Sequence, residues 1–231
     1  MSASIQGIVF DKDGTLFDFR NTWEAWAAAF LGDLGETPEH AAALGQAIGF
    51  DLERRCFSAS SVAIAGTPFD IARALLPNLP DWHEHDLVAL MNQKAIQAPQ
   101  AEAVPLAPLL SGLKAQGFWL GVATNDGEDP ARAHLATAGV LDIFDFVAGS
   151  DSGFGGKPAA GQLVAFADRF GLAPELCVMV GDSRHDLMAG RRAGFATLGV
   201  LTGLADENDL ADLADAVVPD IGHLPRWLAQ G

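Results

Sequence analysis

Basic residues are scarce in this chain. Fourteen Lys and Arg stand against 30 Asp and Glu, a formal net charge of −16 over 231 residues. Nucleic acid and anionic membrane surfaces need basic patches, so both are disfavoured as partners. Cysteine is rarer still. Cys56 and Cys177 lack metal-ligand spacing, and two thiols so far apart make no disulfide scaffold. The first residues show no basic segment followed by an apolar stretch, so no signal peptide is expected. No apolar run is long enough to span a bilayer. A cytoplasmic protein is the expectation. Charged residues make up only 19% of the chain and hydrophobic ones 49%, which favours a packed interior over disorder. The acid surplus also sets a condition: an anionic substrate would need local Lys or Arg and a metal to overcome the repulsion.

Three apolar runs end in chemically capable residues. Ile5 to Phe10 stops at Asp11, Phe118 to Ala123 at Thr124-Asn125, and Cys177 to Val180 at Gly181-Asp182. Helical patterns lie between them: Leu106 to Ala115, Pro130 to Ala138, Gly161 to Phe170 and Asp186 to Ala193. Each has a Gly just past its end, as left-handed C-terminal caps require. Short apolar runs alternating with helices predict an α/β fold, a doubly wound parallel sheet covered on both faces. In such sheets ligands bind beyond the carboxyl ends of the strands, so the three terminal polar groups should face one crevice.

Residues 19–100 read differently. Asn21 is a candidate N-cap with Glu24 as its capping-box partner. Trp23, Trp26, Ala27, Phe30, Leu31 and Leu34 follow at helical spacing up to Gly35, a stripe expected to be packed core. Thr37-Pro38 and Thr67-Pro68 each place a cap before a first-turn proline. Asp81 to about Ile96 suggests another helix, and no strand is apparent. An inserted helical domain is therefore expected over 19–100, with 1–18 and 101–231 forming the core.

The densest signal is Asp11-Lys12-Asp13-Gly14-Thr15-Leu16, two carboxylates one residue apart at a strand end. Carboxylates so crowded suggest a cation, a shared proton, or both. Gly153-Phe154-Gly155-Gly156-Lys157 is not a nucleotide P-loop: Asp151 stands where its first Gly belongs and Pro158 replaces the Ser or Thr.

Taken together, Asp11-Lys12-Asp13-Gly14-Thr15-Leu16, Thr124-Asn125, Lys157-Pro158 and Gly181-Asp182-Ser183 with Asp186 resemble, in order, the four motifs of the haloacid dehalogenase-like superfamily. The later Ala189-Gly190 and Ala193-Gly194 are similar to its phosphoglycolate phosphatase-type branch. The chain departs from the family's common Lys-Pro-x-Pro form at Ala159-Ala160. The resemblance implies a Rossmann-like core with a helical cap, and a phosphatase acting on a small phosphorylated metabolite, possibly phosphoglycolate. It implies Asp11 as nucleophile, Asp13 as acid and base, and Thr124 and Lys157 as stabilisers of the phosphoryl group. It implies Mg²⁺ held by Asp11, the backbone carbonyl of Asp13 and Asp182, with Asp186 either assisting or favouring its helix start. Backbone groups near Gly14 and Asn125 are candidate phosphate donors. Arg54 and Arg55 are candidates for a substrate carboxylate, or a solvated pair. A phosphohexose mutase is the alternative within the superfamily. A phospho-accepting signalling receiver and a non-catalytic binding module are the alternatives outside it. A monomer or a homodimer is expected.

Overall fold

Strand β1 (Gly7–Phe10) is buried on both sides and pairs in parallel with two strands distant in sequence. The computed structural model describes residues 4–58 and 60–230; residues 1–3, 59 and 231 of the expected domains lie outside the described residues. The remaining strands are β2 (Phe50–Asp51), β3 (Cys56–Phe57), β4 (Trp119–Ala123), β5 (Phe146–Ala148), β6 (Cys177–Gly181), β7 (Ala196–Val200) and β8 (Ala216–Val218). The helices are α1 (Phe19–Leu34), α2 (Pro38–Ile48), α3 (Val62–Ala65), α4 (Pro68–Leu75), α5 (Glu84–Ala95), α6 (Leu106–Ala115), α7 (Glu128–Thr137), α8 (Gly161–Phe170), α9 (Arg184–Ala193), α10 (Glu207–Leu210) and α11 (Leu224–Leu228). Among the described residues no helix is long and apolar enough to cross a membrane.

Six strands form one parallel sheet in the order β5-β4-β1-β6-β7-β8. The chain winds outward from β1 in both directions, so the order reverses there. Successive side chains of a strand point to opposite faces. Ile8 and Phe10 therefore pack into one layer with Leu110, Leu120, Val122, Val178 and Val180. Val9 packs into the other with Leu163, Phe166, Met179 and Ala189. Close approach on this second face depends on a missing side chain: a Cβ at Gly121 would meet the Phe166 ring at 2.7 Å. The three apolar runs of the sequence are β1, β4 and β6. The sheet's other members, β5, β7 and β8, are short or weakly patterned and were not among them.

After Phe17 the chain leaves the sheet and comes back beside its point of exit. Asp18 N donates to Ala101 O at 2.8 Å, and Ala103 N to Leu16 O at 2.9 Å. The helices between have their own apolar cluster, including Phe30, Leu31, Leu44, Ile48, Leu75 and Leu87. Three local expectations need correction. Helix α1 is capped by Asp18, whose carboxylate accepts from Asn21 N at 2.8 Å, so Asn21 lies inside the first turn. A two-residue antiparallel hairpin, β2–β3, stands where no strand was expected. Its turn carries Arg55 at φ 54°, the left-handed region. The third correction concerns the stripe on α1, only part of which is core. Ala27, Phe30 and Leu31 are buried, whereas Trp23 and Trp26 border the cavity described next.

Candidate active site

One cavity lies beyond the carboxyl ends of β1, β4 and β6, roofed by α1, α3, α5 and the β3 end. Asp11, Asp13, Thr124, Asn125, Lys157, Asp182 and Asp186 all line it. Their convergence follows from topology. Asp11 follows β1, Thr124 and Asn125 follow β4, and Asp182 follows β6, three adjacent strands of a parallel sheet.

Lys157 arrives from the loop before α8. Its backbone is held in both directions by Asn125, whose Oδ1 accepts from Lys157 N (2.7 Å) and whose Nδ2 donates to Lys157 O (2.8 Å). The same Nδ2 donates to Ala65 O of α3 at 2.7 Å, linking sheet and helical layer. Lys157 Nζ lies 2.5 Å from Asp11 Oδ1 and 2.6 Å from Asp186 Oδ1. Asp186 also closes the N-terminus of α9: its Oδ2 accepts from Ser183 N (3.0 Å) and Ser183 Oγ (2.7 Å). Asp186 thus serves its helix start while also pairing with Lys157. Thr124 is buried, its Oγ1 accepts from Asp126 N at 3.1 Å, and its hydroxyl proton remains available.

Asp11, Asp182 and Asp186 are buried and present oxygens within 4.8 Å of one another. Ionised, they outnumber the one ammonium among them by two. Burial, opposed by Lys157 and aided by Asp186 and Asp13, raises the Asp11 carboxyl to about 7. Burial and then the Asp11 and Asp186 charges raise Asp182 well above the usual carboxylate range. Buried charges persist only when paired or metal-bound. An all-oxygen donor set with excess negative charge suits a hard divalent ion such as Mg²⁺, and these residues fit it.

Asp13 stands apart from that cluster. Its carboxylate meets Lys12 Nζ at 2.8 Å. Lys12 is fully buried, also pairs with Asp126 at 3.2 Å, and sits 5.3 Å from the Trp23 ring centroid. Burial alone would lower its pKa, but Asp13 and Asp126 outweigh it and raise it. His134 completes the group, 3.0 Å from Lys12. Lys12, Asp126 and His134 are not among the residues expected from the sequence. A Lys between two Asp is a visible signal for the first; nothing in the sequence marks the other two.

Two expected substrate contacts are not at the cavity wall in the expected form. Gly14 N donates to Phe17 O at 2.7 Å, so its N–H serves the turn. Gly14 is required for space: at φ 83° it abuts Asp182, and a Cβ would overlap that carboxylate. Arg54 and Arg55 lie in the β2–β3 turn, are exposed, and do not line the cavity; Arg54 pairs with Asp51 at 3.8 Å. The hairpin turns them outward.

The fold and this acid cluster define a doubly wound α/β protein with an inserted helical layer and a buried acidic site beyond its central strands. Comparison with known proteins agrees. Residues 5–194 match the haloacid dehalogenase-like hydrolase family, and the chain belongs to it. A phosphoglycolate phosphatase of Neisseria meningitidis is 32% identical over 96% of this chain and 92% of its own length. The probable phosphatase IndB of Dickeya dadantii is 29% identical over 92% of this chain and 88% of that protein. A HAD phosphatase structure from Thermococcus onnurineus superposes with a TM-score of 0.69 at 21% identity, covering 97% of this chain and 98% of that one.

Proposed function

We propose that this chain is a Mg²⁺-dependent phosphatase that cleaves a small phosphate monoester through a phosphoryl group carried on Asp11. The observation behind it is the meeting of Asp11, Asp13, Thr124, Lys157 and Asp182 in one buried cavity. Asp11, Asp182 and Asp186, with the Asp13 carbonyl, would hold the ion, which neutralises charge between carboxylate and phosphate. Asp11 attacks phosphorus, and the bond from phosphorus to the ester oxygen breaks. Asp13 gives its proton to that oxygen and the alcohol leaves. Asp13 then takes a proton from water as the water attacks the aspartyl-phosphate. Inorganic phosphate leaves and Asp11 is restored. One group serves both steps because they occur in sequence. Lys157 and the Thr124 hydroxyl stabilise the phosphoryl oxygens without reorganising. Residues 19–100 act as a cap that excludes water from the cavity.

The two acids share one turn after β1, unlike the separated acids of a signalling receiver. A hexose phosphate would need many polar partners in the roof, which is instead largely apolar, and this disfavours the mutase reading. The test is turnover of p-nitrophenyl phosphate with and without Mg²⁺. Wild type should turn over repeatedly and stop in EDTA. Asp13→Asn should lose about 10²–10⁴-fold. A single stoichiometric phosphorylation, or normal activity in Asp11→Asn, would remove the proposal. Addition of glucose or other sugars should leave water as the acceptor.

A further inference from the structure

The cavity's roof is chemically unlike its floor. Phe19, Trp23, Trp26, Phe57, Ile64 and Met91 form most of it. The floor holds the carboxylates. Among the described residues lining the cavity, Lys157 is the one Lys or Arg, and Asp11 and Asp186 already engage it. The remaining basic side chain is the His185 imidazole, one residue before Asp186 on α9. The helical layer's own cations all lie elsewhere: Arg20, Arg54, Arg55, Arg73 and Lys94 do not line the cavity. Arg73 is committed to Glu84 at 2.5 Å and Lys94 to Asp33 at 2.9 Å.

A substrate with a second anionic group would therefore bury it against the apolar roof, with no guanidinium fork to receive it. Burying an unpaired charge is costly. Nor do the two roof indoles offer a cationic group an open ring face. Lys12 already sits over the Trp23 ring, and Trp26 is stacked on Phe30 with centroids 4.8 Å apart and planes at 6°. The Trp26 indole N–H is buried without an acceptor among the described residues. It is a donor, and a cation offers it nothing.

We infer that the alcohol released by this enzyme is uncharged and predominantly apolar, packed against Trp23, Trp26, Phe57 and Ile64. This rests on the phosphatase reading above. The reaction is ordinary ester hydrolysis: water supplies one hydroxyl to phosphorus and one proton to the departing alkoxide. The substrate class differs from phosphoglycolate, whose alcohol carries a carboxylate.

The full chain with Mg²⁺ should be assayed on benzyl phosphate, phosphoglycolate and phosphocholine, all esters of aliphatic alcohols, with p-nitrophenyl phosphate as a control. Benzyl phosphate should exceed the other two in kcat/KM by at least about tenfold, the effect of roughly two buried methylenes. Along ethyl, propyl and butyl phosphate, kcat/KM should rise about fourfold per methylene. Phe57→Ala should cost benzyl phosphate about tenfold while inhibition by inorganic phosphate stays unchanged. Preference for phosphoglycolate or phosphocholine, with p-nitrophenyl phosphate still hydrolysed, overturns this inference alone. An equal loss on benzyl phosphate and phosphoglycolate in Phe57→Ala also overturns it. No hydrolysis of any ester overturns the phosphatase reading and the inference together.

Discussion

Lys12 Nζ lies 3.0 Å from Nδ1 of His134, a histidine at the joint between sheet and helical layer. His134 Nε2 is 2.7 Å from Ala95 O, at the end of α5. A carbonyl only accepts, so Nε2 carries the proton and Nδ1 turns its lone pair to the ammonium. Burial, then the Lys12 charge, lowers His134 to about 4. The neutral ring thus ties the loop after β1, through Lys12, to the last turn of α5. Trp23 leans on both partners, 5.3 Å from Lys12 Nζ and edge-on to His134 at 6.3 Å.

A pH-dependent stability difference follows for His134→Gln. The unfolded histidine takes up its proton near 6.5, the folded one only near 4. Between those values the unfolded state binds more protons, so wild type loses stability as pH falls, whereas Gln does not titrate. Wild type should be the more stable at pH 7.5, and its advantage should shrink by up to about 3 kcal/mol on approaching pH 4. Urea unfolding of both proteins across pH measures this. A difference independent of pH would show that His134 is not held neutral.

Removing the cation should be more damaging than removing its histidine. Lys12→Met would leave Asp13 and the buried Asp126 without their shared partner. Burial already raises the Asp126 carboxyl, and Lys12 is the main opposing influence. Breaking a buried pair from one side costs about 3–5 kcal/mol. Adding Asp126→Asn to Lys12→Met should recover about 1–3 kcal/mol of that loss. Strict additivity of the two substitutions in denaturant melts would contradict a shared ion pair.

What the sequence displayed and what it concealed divide on physical grounds. β1, β4 and β6 are central strands buried on both faces, so they read as unbroken apolar runs ending in functional residues. Helix stops at Gly139, Gly171 and Gly194 were visible because each glycine has positive φ. β5 and β8 are three residues each, too short to carry a pattern. Asp18 and Asn21 are both competent caps for α1, and the local sequence does not select between them; in the structure Asp18 caps the helix and Phe19 is buried in its first turn. Arg54 and Arg55 are rare cations in an acidic chain, yet a hairpin of two-residue strands, too short to show periodicity, carries them outward. Trp23 and Trp26 share helical spacing with buried Phe30, and spacing cannot say whether the facing element is a side chain or a cavity. Asp126 and His134 join the site through tertiary contacts, among them those with Lys12, that no local pattern displays.

Metal should change how stability depends on pH. Without it, Asp11 holds a proton up to about 7 in the folded state, against 3.8 when unfolded, and Asp182 shifts the same way. Between these values the folded state binds more protons, so these two groups cost stability as pH rises. A divalent ion needs them ionised and binds best at the upper end. The Tm gained on replacing EDTA with Mg²⁺ should therefore grow from pH 5 to pH 8. Asp11→Asn should shrink that gain, and in EDTA at pH 8 it should melt higher than wild type, since one buried charge is gone. Its phosphatase turnover should fall by at least about 10⁴-fold, as for loss of a covalent nucleophile. A metal-induced Tm shift of equal size at both pH values would place the ion elsewhere.

Asp182 offers a sharper probe, because two glycines far apart in sequence confine it. A Cβ at Gly14 or at Gly203 would overlap its carboxylate. Thr202 Oγ1 donates to Gly14 O at 2.6 Å and holds the two backbones together. Gly203 has no positive φ, so Gly203→Ala introduces no backbone strain; its effect must come from displacing Asp182. Loss of such positioning typically weakens a metal site by about 10–100-fold. Gly203→Ala should accordingly raise the Mg²⁺ concentration for half-maximal activity by that factor, with activity largely regained at saturating Mg²⁺. Gly112→Ala is the matched control, since a Cβ on that exposed face of α6 meets nothing within 4 Å. It should leave Mg²⁺ dependence unchanged and add up to about 1 kcal/mol of stability by helix propensity. If Gly203→Ala binds Mg²⁺ as wild type does, Asp182 is free to move and its carboxylate is not positioned by the glycines around it.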